Sequence, residues 1–388
     1  MGILSNTVSI SQFQVLGSTP KADLAGWVGA ALARNAFRSI EQSSEELSIG
    51  WVQLDDYQES GFAGLHTFQY DHYFAFTLRR DQRKLPSALL KPYFARSEAA
   101  WLEANPQFRR VPKQQREALR EAVRGNLFAK TLPVPATFDA IWDTRSNLVT
   151  FCSLGSKAVD LFIDLFNKSF EGLRLVALHP MARAARVIGE SLLPALTRAN
   201  CSSSEGVLEQ IEANQWLGRD FLLWLVHETM HTAAEHTVNQ PGPAVSGESF
   251  VAYLNDRLLL AASSASGIQK VTVSGPQDHF NEVRSALQGG KDIYEAVLYL
   301  EKQELLWKLT LKGGVFHFAS FKSPAVTVEK DDITDPTMER VAVFYERMSL
   351  LEGGLQLFDS LLATFLQQRL DANWSHKEQA IRTFLVAA

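Results

Sequence analysis

The sequence predicts an α+β fold of two α+β units, the first carrying an inserted helical hairpin and the second followed by C-terminal helices. Three observations point that way. Short runs of alternating or β-branched apolar residues recur in both halves of the chain, and helix-period runs lie between them. In addition, 46% apolar residues over 388 positions are enough for a sizeable core. Charged residues at 21% argue against long disorder, and the longest clean apolar run, Phe221 to Val226, is far too short to cross a bilayer.

In chain order, VSISQFQV reads as a strand, ADLAGWVGAALARNAF has the spacing of an amphipathic helix, and SIGWVQL and HYFAFTLRR read as strands. Pro86 marks a switch to helix. Helical patterns over 87–105 and 112–128, with Pro106 between them and Pro112 suited to a first turn, make a hairpin inserted at 86–130. TFDAIWD and NLVTFCSLG return to strand, SKAVDLFIDLFNKSF to helix, and RLVALHP closes an N-terminal domain at 1–180. Residues 181–249 read as a mostly helical connecting segment ending in NQPGPAVSGES, a loop composition that makes the best internal boundary.

In 250–330, FVAYLNDRLLLAAS and KVTVSG read as strands, HFNEVRSALQ as a helix, and AVLYLEK, LLWKLTL and VFHFASF as a meander, which makes a second α+β unit. The last segment, 331–388, is helical. There Val341, Phe344, Met348, Leu351, Leu355, Phe358, Leu362 and Phe365 alternate at spacings of three and four, a stripe that suits either docking on its own domain or an oligomer seam. Gly353 and Gly354 argue against one continuous coiled coil, since an interior Gly costs about 1 kcal/mol relative to Ala.

Charge is distributed unevenly. Residues 79–130 hold 13 Lys and Arg against 5 Asp and Glu, in a chain whose formal charge is −5, so a polyanionic partner held at one place is the natural inference. In the second hairpin helix Lys113, Arg116, Arg120 and Arg124 follow at three, four and four, a cationic stripe, while Leu119, Val123 and Leu127 form an apolar one for docking on the first helix. Arg79, Arg80, Arg83 and Lys84 cluster just before the hairpin, and Arg109 and Arg110 stand ahead of its second helix. A solvated arm is the plain account of such charges. Two clusters bracketing one hairpin favour double-stranded DNA, whose phosphates reward Lys and Arg contacts by counterion release without base-specific groups. No zinc-finger spacing, basic zipper or RNA-recognition signature is present, so binding to the backbone is expected.

The run LLWLVHETMHTAAEH contains His227, Glu228 and His231 in the order H-E-x-x-H. In a zinc-dependent metallopeptidase two His one turn apart ligate the metal and the Glu activates water, which makes this the alternative function. A third ligand is the weak point. His236 would point about 140° round the helix from His231, and Glu248 sits in the Pro/Gly/Ser loop. A helix with histidines on its polar face is the simpler account. There is no Walker loop, G-x-G-x-x-G or G-x-S-x-G elbow, so a non-enzyme without a cofactor or bound metal is expected. Cys152 and Cys201 make no disulfide framework, and MGILSNTVSI has no signal-peptide pattern, which fits a cytoplasmic protein.

The order SIGWVQL, LRRDQRKLPSALLK, RRVPKQQREALREAVRGNL, AIWDTRSNLVTFCS and LRLVALHP resembles the recombination-associated protein RdgC family. The run from VTVSGPQDHF to VFHFASFK is similar to that family's C-terminal half. The resemblance implies a non-catalytic, nucleoid-associated protein that binds duplex DNA with little sequence preference and restrains RecA-promoted recombination. It also implies a ring-shaped homodimer with a basic hole around the duplex, with Gln277 and Lys291 at DNA-facing positions.

Overall fold

The structure is a computed structural model that describes residues 2–20, 22–43, 45–54, 56–231, 234–264, 267–327 and 335–386. Among them the chain is mixed α+β, with thirteen strands and eleven α-helices. The first half runs β1 (Thr7–Gly17), α1 (Leu24–Arg34), β2 (Leu47–Val52), β3 (Gln69–Tyr70), β4 (Tyr73–Gln82), α2 (Ser87–Ala104), α3 (Lys113–Lys130), β5 (Val134–Asp143), β6 (Leu148–Phe151), α4 (Ser156–Ser169) and β7 (Leu173–Ala177). Then come α5 (Pro180–Val187), α6 (Leu193–Ala199), α7 (Val207–Ala213), α8 (Gln215–His231), β8 (Glu235–Thr237), β9 (Ser249–Ser264) and β10 (Gly267–Val273). The chain closes with α9 (Asn281–Gln288), β11 (Asp292–Lys302), β12 (Leu305–Lys312), β13 (His317–Lys322), α10 (Pro336–Arg369) and α11 (Trp374–Val386). No described helix is long and apolar enough to cross a membrane.

Two compact units result, neither contiguous in sequence. One takes Met1–Leu16, Asn147–Val159 and Leu175–Ala388, the other Gly17–Ser146 and Asp160–Arg174. The division is not the linear one expected near residues 180 and 249, because β1 is paired by β6 and β13, which come from far along the chain. The expected break at 330/331 lies outside the described residues.

In the larger unit the strands follow the order β10-β9-β11-β12-β13-β1-β6, with β8 beside β9. From Ala296 on, alternate residues of β11 face inward, so Ala296, Leu298 and Leu300 are buried, and Ile293 is buried ahead of a shift in register. Phe221 of α8 meets Phe358 and Phe365 of α10 at 5.8 and 5.4 Å, and Phe318 of β13 meets Phe358 at 4.9 Å. Each such fully buried side chain contributes about 1.5–3 kcal/mol.

The C-terminal stripe is absorbed here, since Phe344, Met348, Leu351, Leu355, Phe358, Leu362 and Phe365 are all buried within this unit. Helix α10 also runs unbroken through the glycine pair. A Cβ on Gly354 would lie 2.5 Å from Trp307 Cδ1 and 2.8 Å from Phe321 Cζ, and Trp307 Nε1 donates to the Leu350 carbonyl at 2.7 Å. The glycine is there for close approach. NQPGPAVSGES is likewise a packed connection: Gln356 Nε2 donates to the carbonyls of Gln240 and Ala244, and Ser360 Oγ accepts from the N–H of Asn239 and Gln240. Its composition marks turns, and α10 satisfies its backbone.

The smaller unit holds β5-β4-β2, with β3 on β4. Phe74, Phe76 and Leu78 alternate along β4 and are buried. Trp51 meets Phe76 at 4.9 Å, and Trp142 meets Phe166 and Phe170 at 5.8 and 5.7 Å, an aromatic core closed by a 2.8 Å bond from Trp51 Nε1 to Ser169 Oγ. The last rung of β4 and β5 pairs Gln82 with Val134. Residues 83–133 thus leave and rejoin one strand pair at the same end, which makes the helical hairpin an enlarged strand connection.

Candidate nucleic-acid interface

The hairpin stands on a root of buried arginines. Arg83 is 1% exposed. Its Nε donates to the Thr131 carbonyl at 2.6 Å, Nη1 to the carbonyls of Ser43 and Glu45 at 2.5 and 2.9 Å, and Nη2 to those of Ile40 and Glu41 at 2.8 and 2.9 Å. A guanidinium has five N–H groups, so none remains for a phosphate. Arg83 ties the hairpin's entry to its exit at Thr131 and to the backbone of Ile40, Glu41, Ser43 and Glu45.

Arg79 is also buried. It forms a two-pronged pair with Asp81, both bonds at 2.8 Å, donates to the Tyr57 carbonyl at 3.0 Å and lies 4.2 Å over the Phe37 ring. The bond to Asp81 raises its pKa further. Two of the four arginine and lysine candidates ahead of the hairpin are therefore structural, a correction that charge counting could not supply. Arg80 is half-buried with its Nε unpartnered, and Lys84 is exposed.

Above the root, α2 contributes no buried residue and α3 only Phe128, so the two helices form a thin arm. Neither has a side-chain N-cap, and Pro86 and Pro112 set the backbone at their starts instead. Lys113, Arg116, Arg120 and Arg124 are all exposed on α3. Arg116 Nε meets Glu98 Oε1 at 2.6 Å, and Arg124 Nη2 meets Glu46 Oε2 at 2.7 Å. Lys113 and Arg120 have no partner among the described residues, nor do Arg109 and Arg110, exposed at the turn. Beside the root, Gln82, Lys84, Leu90, Arg120, Arg124 and Phe128 line a cleft of ≈ 550 Å³, with Glu46 and Glu121 at its wall. Glu46 and Glu98 are partners of the arm's arginines that the sequence did not reveal. Glu46 lies 78 positions from the arginine it holds, and no local pattern marks such a pair.

Gln277 and Lys291 belong to the larger unit. Gln277 is half-buried and hydrogen-bonded to Asn255, Asp256 and Gly275, whereas the Lys291 side chain is half-buried with no partner among the described residues.

The H-E-x-x-H residues lie on α8, but they are engaged with one another and with α11. His227 Nδ1–H donates to Glu228 Oε1 at 3.2 Å, and Lys377 Nζ reaches the same oxygen at 2.5 Å. Burial alone would raise the Glu228 carboxyl, but the bonds from His227 and Lys377 hold it below its ordinary value. His231 Nδ1–H donates to the His227 carbonyl at 2.9 Å; the two rings stack at 4.3 Å, and Phe384 stands edge-on against both. Neither third-ligand candidate joins them. His236 sits on β8 against Trp224 and Phe250, and Glu248 pairs with Lys302. Among the described residues no group of three or more His, Cys, Asp or Glu could hold a metal ion. The metallopeptidase expectation finds no assembled site.

The geometry defines a class: a mixed α+β protein that presents a cationic helical arm on a buried arginine root. Residues 22–200 match the model of the family described as "RdgC: Putative exonuclease, RdgC", and over that stretch the chain is similar to the RdgC family. The match takes in root, arm and cleft, and it ends before the H-E-x-x-H helix and before Gln277 and Lys291. Among curated proteins no match is found.

Proposed function

We propose that this protein binds double-stranded DNA through the phosphate backbone, with little sequence preference, and serves homologous recombination as a non-catalytic, nucleoid-associated factor. The observation that carries this is the arm: Lys84, Arg109, Arg110, Lys113 and Arg120 are exposed and have no carboxylate partner among the described residues. Arg116 and Arg124 lie over the Phe94 and Phe128 rings, and their carboxylate pairs are surface pairs of about 0–1 kcal/mol, so a phosphate can displace either carboxylate. The RdgC match over residues 22–200, together with the resemblance read from the sequence, supports the recombination setting. In the same proposal two copies form a ring-shaped homodimer around the duplex and restrain RecA. Leu132 and Val134, 76% and 60% exposed at the arm's exit, offer a partner copy apolar surface.

Mobility-shift titrations with unrelated duplexes at several salt concentrations test the proposal. Five phosphate contacts give a log-log slope of about −4 to −5, with similar affinities for all sequences. No shift at the lowest salt overturns it. The description of the matching family raises exonuclease activity as a second possibility. Release of nucleotides from an end-labelled duplex with Mg²⁺ would establish that one instead.

A further inference from the structure

Strand β9 does not run straight past β11. Between the rungs Ala296–Leu258 and Leu298–Leu254, three residues, Asn255, Asp256 and Arg257, stand opposite Val297 alone. Asp256 takes a left-handed backbone, φ +63°, as an extra residue in a bulge can. For an L-residue that costs about 1–2 kcal/mol, so something must hold it.

The Asp256 carboxylate is held twice. The Tyr299 hydroxyl donates a short hydrogen bond to Oδ2, and Lys308 Nζ lies 2.5 Å from the same oxygen. Tyr299 and Lys308 are directly opposed on β11 and β12, with the ammonium 5.0 Å over the Tyr299 ring. Tyr299 also stacks on Tyr253 of β9 at 5.1 Å and 3°, and the Tyr253 hydroxyl donates to Glu301 at 2.5 Å. The cluster carries its own electrostatic signature: hydrogen bonds from Lys308 and Tyr299 hold the Asp256 carboxyl below its ordinary value, and the bond to Asp256 raises Lys308.

The bulge in turn holds Gln277. Asn255 Oδ1 accepts from the backbone N–H of Asp256 at 2.7 Å and of Gln277 at 3.0 Å. Gln277 Nε2 donates to the Gly275 carbonyl at 2.8 Å and the Asp256 carbonyl at 3.4 Å. Both side-chain hydrogens are used inside the protein, and Oε1 is the end left without a partner among the described residues. An acceptor cannot bond a phosphate oxygen, but it can receive an N–H from a base's exocyclic amino group.

We propose that Asp256, clamped by Lys308 and Tyr299, is a positioning residue for Gln277, fixing it so that it meets a duplex as an acceptor rather than as a phosphate donor. The duplex half of this statement rests on the DNA-binding function proposed above and on the DNA-facing position that the RdgC resemblance implies for Gln277; the positioning half does not.

Asp256→Asn separates the clamp from the backbone, because Asn tolerates the left-handed conformation while losing the ion pair. Amide hydrogen exchange at Gln277 should quicken by about tenfold in Asp256→Asn and in Lys308→Met, with the β11–β12 rungs still protected. Unchanged exchange at Gln277 overturns the positioning role. On duplex DNA, Asp256→Asn and Gln277→Ala should each weaken binding about fivefold, the double variant no further, and the salt slope should stay unaltered. Additive losses, or a slope reduced by about one in Gln277→Ala, overturn the acceptor assignment. If the unaltered protein binds no duplex, the DNA-binding function fails, and the exchange experiment still decides the positioning.

Discussion

Arg83 and Arg120 belong to one basic stretch and lie in the same unit, yet the fold uses them in opposite ways. At the root, Arg83 has every N–H bonded to a backbone carbonyl and is out of water. On the arm, Arg120 is exposed beside a cleft, with no partner among the described residues. The difference teaches that positive charge is available to a partner only where its donors are unused. Arg79, closed by Asp81 and Tyr57, falls with the root, and Lys113 falls with the arm.

The sharpest way to break this contrast is at the root. Arg83→Met leaves five carbonyls without their donor and should cost about 4 kcal/mol of stability in urea unfolding. A loss below about 1 kcal/mol would show the root to be ordinary surface. Next in size is charge reversal on the arm. Lys113→Glu with Arg120→Glu should weaken duplex binding by about thirtyfold or more and reduce the salt slope by about two, while stability stays within about 0.5 kcal/mol. Equal effects on folding and binding would erase the distinction between arm and root. The smallest change sharpens it from the other side. Glu98→Gln releases Arg116 from its carboxylate partner among the described residues and should tighten binding about twofold, with almost no change in stability; weaker binding would mean that the pair positions Arg116 for the phosphate.

Much of the fold was legible in the chain itself. The hairpin helices, the strands around them and the β11–β13 meander appear where periodicity and proline placed them, because local preference and the buried face agree there. Legibility failed where distant residues decide. Gly353 and Gly354 argue for a break by helix propensity, yet Trp307, more than forty positions away, needs the space at Gly354 and hydrogen-bonds the helix backbone. The Pro/Gly/Ser loop suggests a boundary, yet Gln356 and Ser360 bind its backbone into the larger unit. In the H-E-x-x-H run the spacing was real, but Lys377, His227 and Phe384 occupy the groups a metal site would use.

By itself the sequence determined the α+β class, the helical arm and the concentration of positive charge in residues 79–130, because these follow from periodicity and composition within short windows. Only the tertiary structure decided which of those charges a partner can reach. Burial and hydrogen-bond saturation depend on carbonyls and carboxylates brought in from elsewhere, as at Arg83 from Glu41 and Ser43 and at Arg124 from Glu46. A donor's availability is a property of its surroundings in space, and no local spacing encodes it.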